Sequence, residues 1–144
     1  MFTIIFPVLN ERLRLESGVT RTVEYLRKIA FEDYEIIIVD NGSEDETPQI
    51  AEMLCQKYEK VRYERINVRG VGAAFRRGVE LSHGDVVGYM DIDLSTNIKH
   101  LGEAIHLFET QPQIEYINGS RFARESDTKG RKLSLIHISE PTRH

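Results

Sequence analysis

The stretch Gly84-Asp85-Val86-Val87-Gly88-Tyr89-Met90-Asp91-Ile92-Asp93-Leu94 decides how this chain is read. It opens at a turn residue, runs through apolar and β-branched side chains, and ends in two aspartates separated by one residue. That is the pattern of a short buried strand carrying a carboxylate pair at its carboxyl end. In an extended backbone Asp91 and Asp93 point the same way, with Cα atoms roughly 6.5–7 Å apart. Carboxylates this close repel unless a cation or a proton lies between them. The strand end is therefore a divalent-metal site or a solvated corner, and the neighbouring elements must decide which.

Outward from this stretch, strands and helices alternate. Met1–Val8 is a nearly continuous apolar run, as in a strand buried on both faces, with Pro7 near its end where a missing N–H does least harm. Val19, Val23, Leu26 and Ile29 recur at helical spacing between Gly18 and Ala30. Tyr34–Val39 is a second strand ending at Asp40, followed by the turn residues Asn41-Gly42-Ser43. Thr47-Pro48 reads as an N-cap with proline at the first helical position. Val61–Arg65 is a third strand. Gly70 and Gly72 open a helix with an inward stripe of Val71, Ala74, Phe75, Gly78 and Val79. Ser95-Thr96-Asn97 can cap a further helix with Ile98, Leu101, Ile105 and Phe108 inward, stopped by Gln111-Pro112. Ile114–Ile117 is a fifth strand. This alternation predicts an α/β domain with a mostly parallel sheet flanked by helices.

Composition narrows the class. The chain has 144 residues, 40% hydrophobic and 29% charged, enough for one domain with a core. A net charge of −4 gives no support to nucleic-acid binding. No apolar run approaches the ~20 residues of a membrane-spanning helix. The single cysteine, Cys55, excludes an intrachain disulfide and suits a reducing compartment, so a cytoplasmic location is expected. Its place on an apolar helical stripe suggests a small buried thiol. His100 and His106 are spaced so that they do not share a metal, and with His83 they are expected at the surface.

In an open α/β sheet, ligands bind outside the carboxyl ends of the strands. Asn10 and Glu11 follow the first strand, Asp40 the second, Asp91 and Asp93 the fourth, and Arg121 the fifth. An anionic ligand could approach this acidic rim only with Mg²⁺ or Mn²⁺ between the carboxylates. Magnesium typically takes one or two carboxylates plus substrate phosphates, so a metal-bound diphosphate is implied. Asp40 is placed to accept hydrogen bonds from a nucleobase or a ribose. Gly70 and Gly72 permit close approach of phosphate to a helix N-terminus. A competing reading takes Gly70-Val71-Gly72 as a dinucleotide fingerprint, but Phe75 stands at its third glycine position and it follows the third strand, not the first.

Five blocks then resemble the GT-A glycosyltransferases of family 2, in particular the polyprenyl-phosphate (dolichol-phosphate) mannosyl- and glucosyltransferases. They are Phe6-Pro7-Val8-Leu9-Asn10-Glu11, Val39–Thr47, Asn67–Ala74, Gly84–Thr96 and Gly119-Ser120-Arg121. The resemblance implies a GT-A, Rossmann-like nucleotide-diphospho-sugar transferase domain over residues 1–132, incomplete at its C-terminus. It places Pro7, Leu9, Glu11 and Asp40 around the base and ribose, with Gly70 beside the nucleotide. Asp91, the backbone of Ile92 and Asp93 fall at the ribose and metal–diphosphate positions, with Asp91 and Asp93 catalytic through Mg²⁺ or Mn²⁺. Arg121 would hold phosphate, that of the acceptor included. Leu9 stands where an aromatic residue is frequent, Asn41 where a second aspartate is usual, and Ile92 where a small residue is usual, so Ile92 is expected to crowd the ribose.

The implied reaction is inverting transfer from a GDP- or UDP-sugar to an acceptor, with a polyprenyl phosphate at the cytoplasmic face of the membrane as the expected one. Such a lipid would be met through a C-terminal part, and the fragment alone is expected to be inactive. Two alternatives stand beside it: a sugar-nucleotide nucleotidyltransferase and a non-catalytic dinucleotide-binding module. The first should carry a glycine-rich loop after strand one, where Leu9-Asn10-Glu11-Arg12 has no glycine. Finally, Leu133–Arg143 is similar to one reading frame of a common transposase sequencing adapter, so residues 133–144 are expected to be a non-native read-through.

Overall fold

The computed structural model describes residues 1–94, 98–111, 113, 114, 116–118 and 137–139, the last two stretches by their backbone alone. In chain order the elements are β1 (Phe2–Val8), α1 (Leu15–Lys28), β2 (Tyr34–Asp40), α2 (Thr47–Lys57), β3 (Val61–Arg65), α3 (Val71–Leu81), β4 (Val86–Tyr89), α4 (Lys99–Thr110), β5 (Tyr116–Asn118) and β6 (His137–Ser139). The sheet order is β3-β2-β1-β4-β6-β5. β1 through β4 are mutually parallel, whereas β6 runs antiparallel to both β4 and β5.

Period-two alternation sorts the core into two layers. Phe2, Ile4, Phe6 and Val8 of β1 and Tyr34, Ile36 and Ile38 of β2 pack with Leu15, Val19 and Leu26 of α1, Leu54 of α2 and Leu101 and Ile105 of α4. Ile5, Ile37, Val39 and Val87 face the other way and pack against Ala74 of α3. A Cβ at Gly78 would fall 2.5 Å from Ile5 Cδ1, so this glycine lets α3 lie directly on β1.

Several boundaries differ from the expectations. α1 begins at Leu15, ahead of Gly18, because the amides of Arg14 and Leu15 already donate to Glu11 O. Val71 is exposed and leaves the inward stripe of α3 to Ala74 and Gly78, with Phe75 and Val79 partly buried beside them. Thr47 is no N-cap: α2 starts on it without a side-chain cap, and its hydroxyl serves the loop after β1 instead. β5 lies two residues beyond the expected start. Ser95-Thr96-Asn97 and Pro112 fall outside the described residues. Cys55 is half-buried, and burial pushes its thiol pKa up.

Residues 133–144, expected to be a non-native read-through, include a stretch, 137–139, whose backbone pairs with β4. An open strand edge offers unpaired N–H and C=O groups that an extended segment of any origin can satisfy. The pairing therefore describes the edge of β4 and leaves the origin of the segment untouched.

The amino end of the sheet is closed by a polar network. Glu35 Oε2 accepts from Thr3 Oγ1 (2.7 Å) and the His83 amide (2.5 Å). Its Oε1 lies 2.8 Å from Arg62 Nη2 and 3.1 Å from His83 Nδ1. Thr3 Oγ1 in turn accepts from the Gly84 amide. Burial alone would raise the Glu35 pKa, but these donors outweigh it and hold the carboxyl at about 2.

Candidate functional site

The site forms where β1 and β4 end, and Pro7 favours the end of the pairing between them, while β1 runs on beside β2 to Val8. In a parallel ladder successive residues turn their backbone groups to opposite neighbours. Met1 O and Ile5 O accept from Asp85 N and Met90 N on the β4 side, while Val8 O accepts from Asn41 N on the β2 side. The next residue facing β4 is Pro7, which has no N–H to offer. The ladder stops, and the chain after Met90 is released from the sheet.

It enters a turn. The Leu94 amide donates to Asp91 O at 3.0 Å, and Leu94 lies at φ 52°. This corrects the expectation of an extended Asp91–Asp93 segment. Asp91 is nonetheless half-buried and Asp93 exposed at the carboxyl end of β4, while the residues interleaved with them are buried. Ile92 is 2% and Leu94 8% exposed, and both belong to the main core. Ile92 therefore does not crowd a ribose: its side chain is in the core, and its carbonyl faces Gly18 of α1.

The loops after β1 and β2 are stitched together. Asn10 N donates to Ser43 Oγ (2.8 Å), Glu44 N to Asn10 Oδ1 (2.8 Å) and Glu11 N to Thr47 Oγ1 (2.9 Å). Arg12 N donates to Asp45 Oδ2 at 3.3 Å. Asn10 adopts φ 52°, a conformation that asparagine tolerates better than most residues. Pro7, Leu9 and Glu11 are half-buried on this platform, and Glu11 receives Arg14 Nε at 2.9 Å.

Asp40 departs from the role expected for it. Its side chain is fully buried. Oδ1 accepts from Gly42 N, Ser43 N and Ser43 Oγ, and Oδ2 from the Tyr63 hydroxyl at 2.6 Å and from Arg65 Nη1 at 3.5 Å. A carboxylate so engaged shapes the loop from within and does not present itself to a base. Burial, then the bond to Asp40, pushes the Tyr63 hydroxyl pKa up to about 12. Neighbouring Asn41, with its amide oriented to suit its surroundings, donates to Val68 O and Gly70 O, both at 3.0 Å, and so ties the loop before α3 to the rim.

That loop is open. Val68, Arg69, Gly70, Val71 and Gly72 are all exposed, Gly70 has φ 118°, and a Cβ at Gly70 or Gly72 would meet nothing within 4 Å. The sheet order carries β3, and with it this glycine pair, to the far edge from β4. His83 and His100 are exposed and lie beside Glu35 and Glu103, while His106 is exposed on α4. Arg121 lies outside the described residues. The sequence reading missed Tyr63, Arg65, Ser43 and Thr47. The first two carried a signal, since alternation on β3 puts them on one face and the β2–β3 register sets Arg65 beside Asp40.

Among the described residues no three His, Cys, Asp or Glu side chains come together to hold a metal. Asp91 and Asp93 offer two hard carboxylate donors, a set that fits Mg²⁺ or Mn²⁺ when substrate phosphates complete the coordination. A family model described as glycosyl transferase family 2 matches residues 3–143. The chain belongs to that family. Within it, glycosyltransferase AglD of Haloferax volcanii is 35% identical over 105 residues, covering 72% of this chain and 17% of that protein. The mouse dolichyl-phosphate beta-glucosyltransferase is 34% identical over 137 residues, covering 88% of this chain and 42% of that protein. The chain thus spans less than half the length of these family 2 relatives.

Solved structures agree on the fold. The mannosyltransferase PcManGT from Pyrobaculum calidifontis, in complex with GDP-Man and Mn²⁺, superposes with a TM-score of 0.65 at 21% identity, over 80% of this chain and 34% of its own. Glucosyl-3-phosphoglycerate synthase from Mycobacterium tuberculosis, in complex with Mn²⁺, UDP and glucosyl-3-phosphoglycerate, gives 0.69 at 20% identity, over 98% and 57%. The architecture is that of the GT-A glycosyltransferases.

Proposed function

We propose that this chain carries the nucleotide-sugar half of a metal-dependent inverting glycosyltransferase that moves a sugar from a GDP- or UDP-sugar to a polyprenyl phosphate. The observation that carries the reading is the turn after β4, which sets Asp91 and Asp93 outward on the carboxyl rim while Ile92 and Leu94 anchor it in the core. Asp91 and Asp93 would hold the divalent cation, which when bound neutralises charge on the departing nucleoside diphosphate. Pro7, Leu9 and Glu11 line the approach for base and ribose. The stitched loops hold that platform still, and Asp40 supports it from below. Gly70, open toward solvent at the start of α3, leaves room for the nucleotide at the β3 side of the rim.

Arg121 completes the proposal as a phosphate contact. A phosphate acceptor is anionic before it attacks, so this route asks for no general base, and direct displacement at the anomeric carbon inverts it. The relatives' dolichyl-phosphate chemistry supports the choice of acceptor, and a place at the cytoplasmic face of the membrane follows from it. No helix among the described residues is long and apolar enough to cross a membrane.

Calorimetric titration of the protein with UDP- and GDP-sugars, with and without Mn²⁺, tests the reading. Metal-dependent binding is expected, and Asp93→Asn should lower it by about tenfold or more while the circular dichroism spectrum is unchanged. Binding indifferent to Mn²⁺ refutes it, and a preference for NAD refutes it in favour of the dinucleotide-binding alternative.

A further inference from the structure

We propose that Gly18 is a positioning residue for the Asp91–Asp93 turn, and that its missing side chain sets how firmly the site holds a metal-bound diphosphate. The inference rests on the reading of Asp91 and Asp93 given above and extends it to a residue on a different element. Gly18 is buried in the first turns of α1. Its φ is not in the left-handed region, so conformational need does not explain a glycine there, and glycine is a poor helix residue. Close approach does explain it. A Cβ on Gly18 would fall 2.3 Å from Ile92 O, 2.8 Å from Ile92 Cδ1 and 2.9 Å from Ile92 Cγ1.

The nearest of those atoms is backbone, and it belongs to the residue between the two acids. A side chain on residue 18 could not be accommodated by swinging a flexible tip aside. The turn itself would have to move, and Asp91 and Asp93 would move with it. The helix cannot easily yield. Leu15 and Val19 on either side are fully buried, and Thr22 Oγ1 donates to Gly18 O at 2.8 Å inside the core. Upstream, α1 continues from the Asn10–Arg12 segment that is bonded to the loop after β2. Gly18 therefore sits where the α1 backbone, anchored to the base side of the rim, touches the backbone of the acidic turn. The large residue at position 92 and the absent side chain at position 18 are complementary halves of one contact.

The test compares wild type, Gly18→Ala and Ile92→Val. Mn²⁺ binding is followed by electron paramagnetic resonance, and UDP and GDP binding by calorimetry with Mn²⁺ and again in EDTA. In Gly18→Ala, Mn²⁺-dependent nucleoside-diphosphate affinity should fall about tenfold, since displacements near 1 Å are costly at such sites, and residual binding in EDTA should hold within twofold. Should Gly18→Ala fail to fold, Ile92→Val, which trims one methyl from the same contact, decides. A loss of about threefold confined to the metal-dependent component supports the inference. Equal affinity in the folded variant, or a parallel loss with and without metal, overturns it and leaves the function proposed above intact. Absence of Mn²⁺-dependent binding in wild type instead overturns that function, and this inference with it.

Discussion

Replacing Glu35 by glutamine probes the end of the sheet opposite the site. Its carboxylate accepts from four donors, and an amide cannot serve them all. With the amide nitrogen in place of Oε2, it would face the Thr3 hydroxyl and the fixed His83 N–H. In place of Oε1 it would face Arg62, which has no acceptor, and His83 Nδ1, which can become one by changing tautomer. The second arrangement costs less, so Glu35→Gln should keep Thr3 and the His83 amide and leave Arg62 with Leu81 O as its remaining partner. What is lost is the ion pair and one charge-assisted bond, about 1.5–3 kcal/mol.

The pH dependence gives the same magnitude independently. The carboxyl sits at about 2 in the fold against an ordinary value of 4.5. A depression of that size is worth at most about 3 kcal/mol, and screening at the solvent-facing Arg62 and His83 brings the expectation to about 2 kcal/mol. A carboxyl whose folded pKa is lowered stabilises fully above its unfolded pKa and loses that contribution as pH falls through the folded one. The gap between wild type and Glu35→Gln should therefore stand at about 2 kcal/mol at pH 7 and close between pH 4.5 and pH 2. In urea that is a midpoint shift of about 1 M at neutral pH. A gap that persists unchanged at pH 2.5 would show that packing and not ionisation is responsible, and no gap at pH 7 would dispose of the network altogether.

Two further substitutions address the rim. Thr47→Val leaves the Glu11 amide without its acceptor and should cost about 1–2 kcal/mol in urea unfolding, with faster hydrogen exchange at the Glu11 and Arg12 amides. Tyr63→Phe removes the 2.6 Å bond to Asp40 and leaves Oδ2 with Arg65 alone. We expect a loss of about 1–2 kcal/mol in thermal unfolding, with Mn²⁺-dependent nucleotide binding retained, and abolished binding would show that Asp40 acts on the ligand directly.

The inner strands were legible because they are buried on both faces and so read as unbroken apolar runs, as at Tyr34–Val39; the edge strand Val61–Arg65, of which only Val61 is buried, also falls where expected. Residues whose polar atoms turn inward were not legible. Asp40 looks in sequence like any aspartate at a strand end. Only the turn at Gly42-Ser43 and the register bringing Arg65 beside it reveal that its partners are internal. Thr47 before Pro48 has the composition of an N-cap, and tertiary contact overrode that local preference by claiming its hydroxyl for Glu11. Gly18 reads as a helix boundary because glycine is a poor helix former, and the compensation for placing it inside α1 is visible only once Ile92 is opposite.

The aspartate pair reaches its position after β4 by a backbone other than the extended one its spacing suggests. An extended strand would set Asp91 and Asp93 on one face and Ile92 and Leu94 on the other, and the turn achieves the same division by a different backbone. What enforces it is burial. Each of the two aliphatic side chains gains about 1.5–3 kcal/mol on leaving water. Near a protein surface two carboxylates oppose the pair of anchors with about 4 kcal/mol at a separation of ~4 Å and less at any longer one, against about 3–6 kcal/mol gained by the two side chains together. The hydrophobic anchors match or outweigh the repulsion, so the acids are held on the rim whether or not a cation is present. On this account the turn is organised without a metal, and a cation held as proposed above would contribute to binding diphosphate instead of to folding the turn.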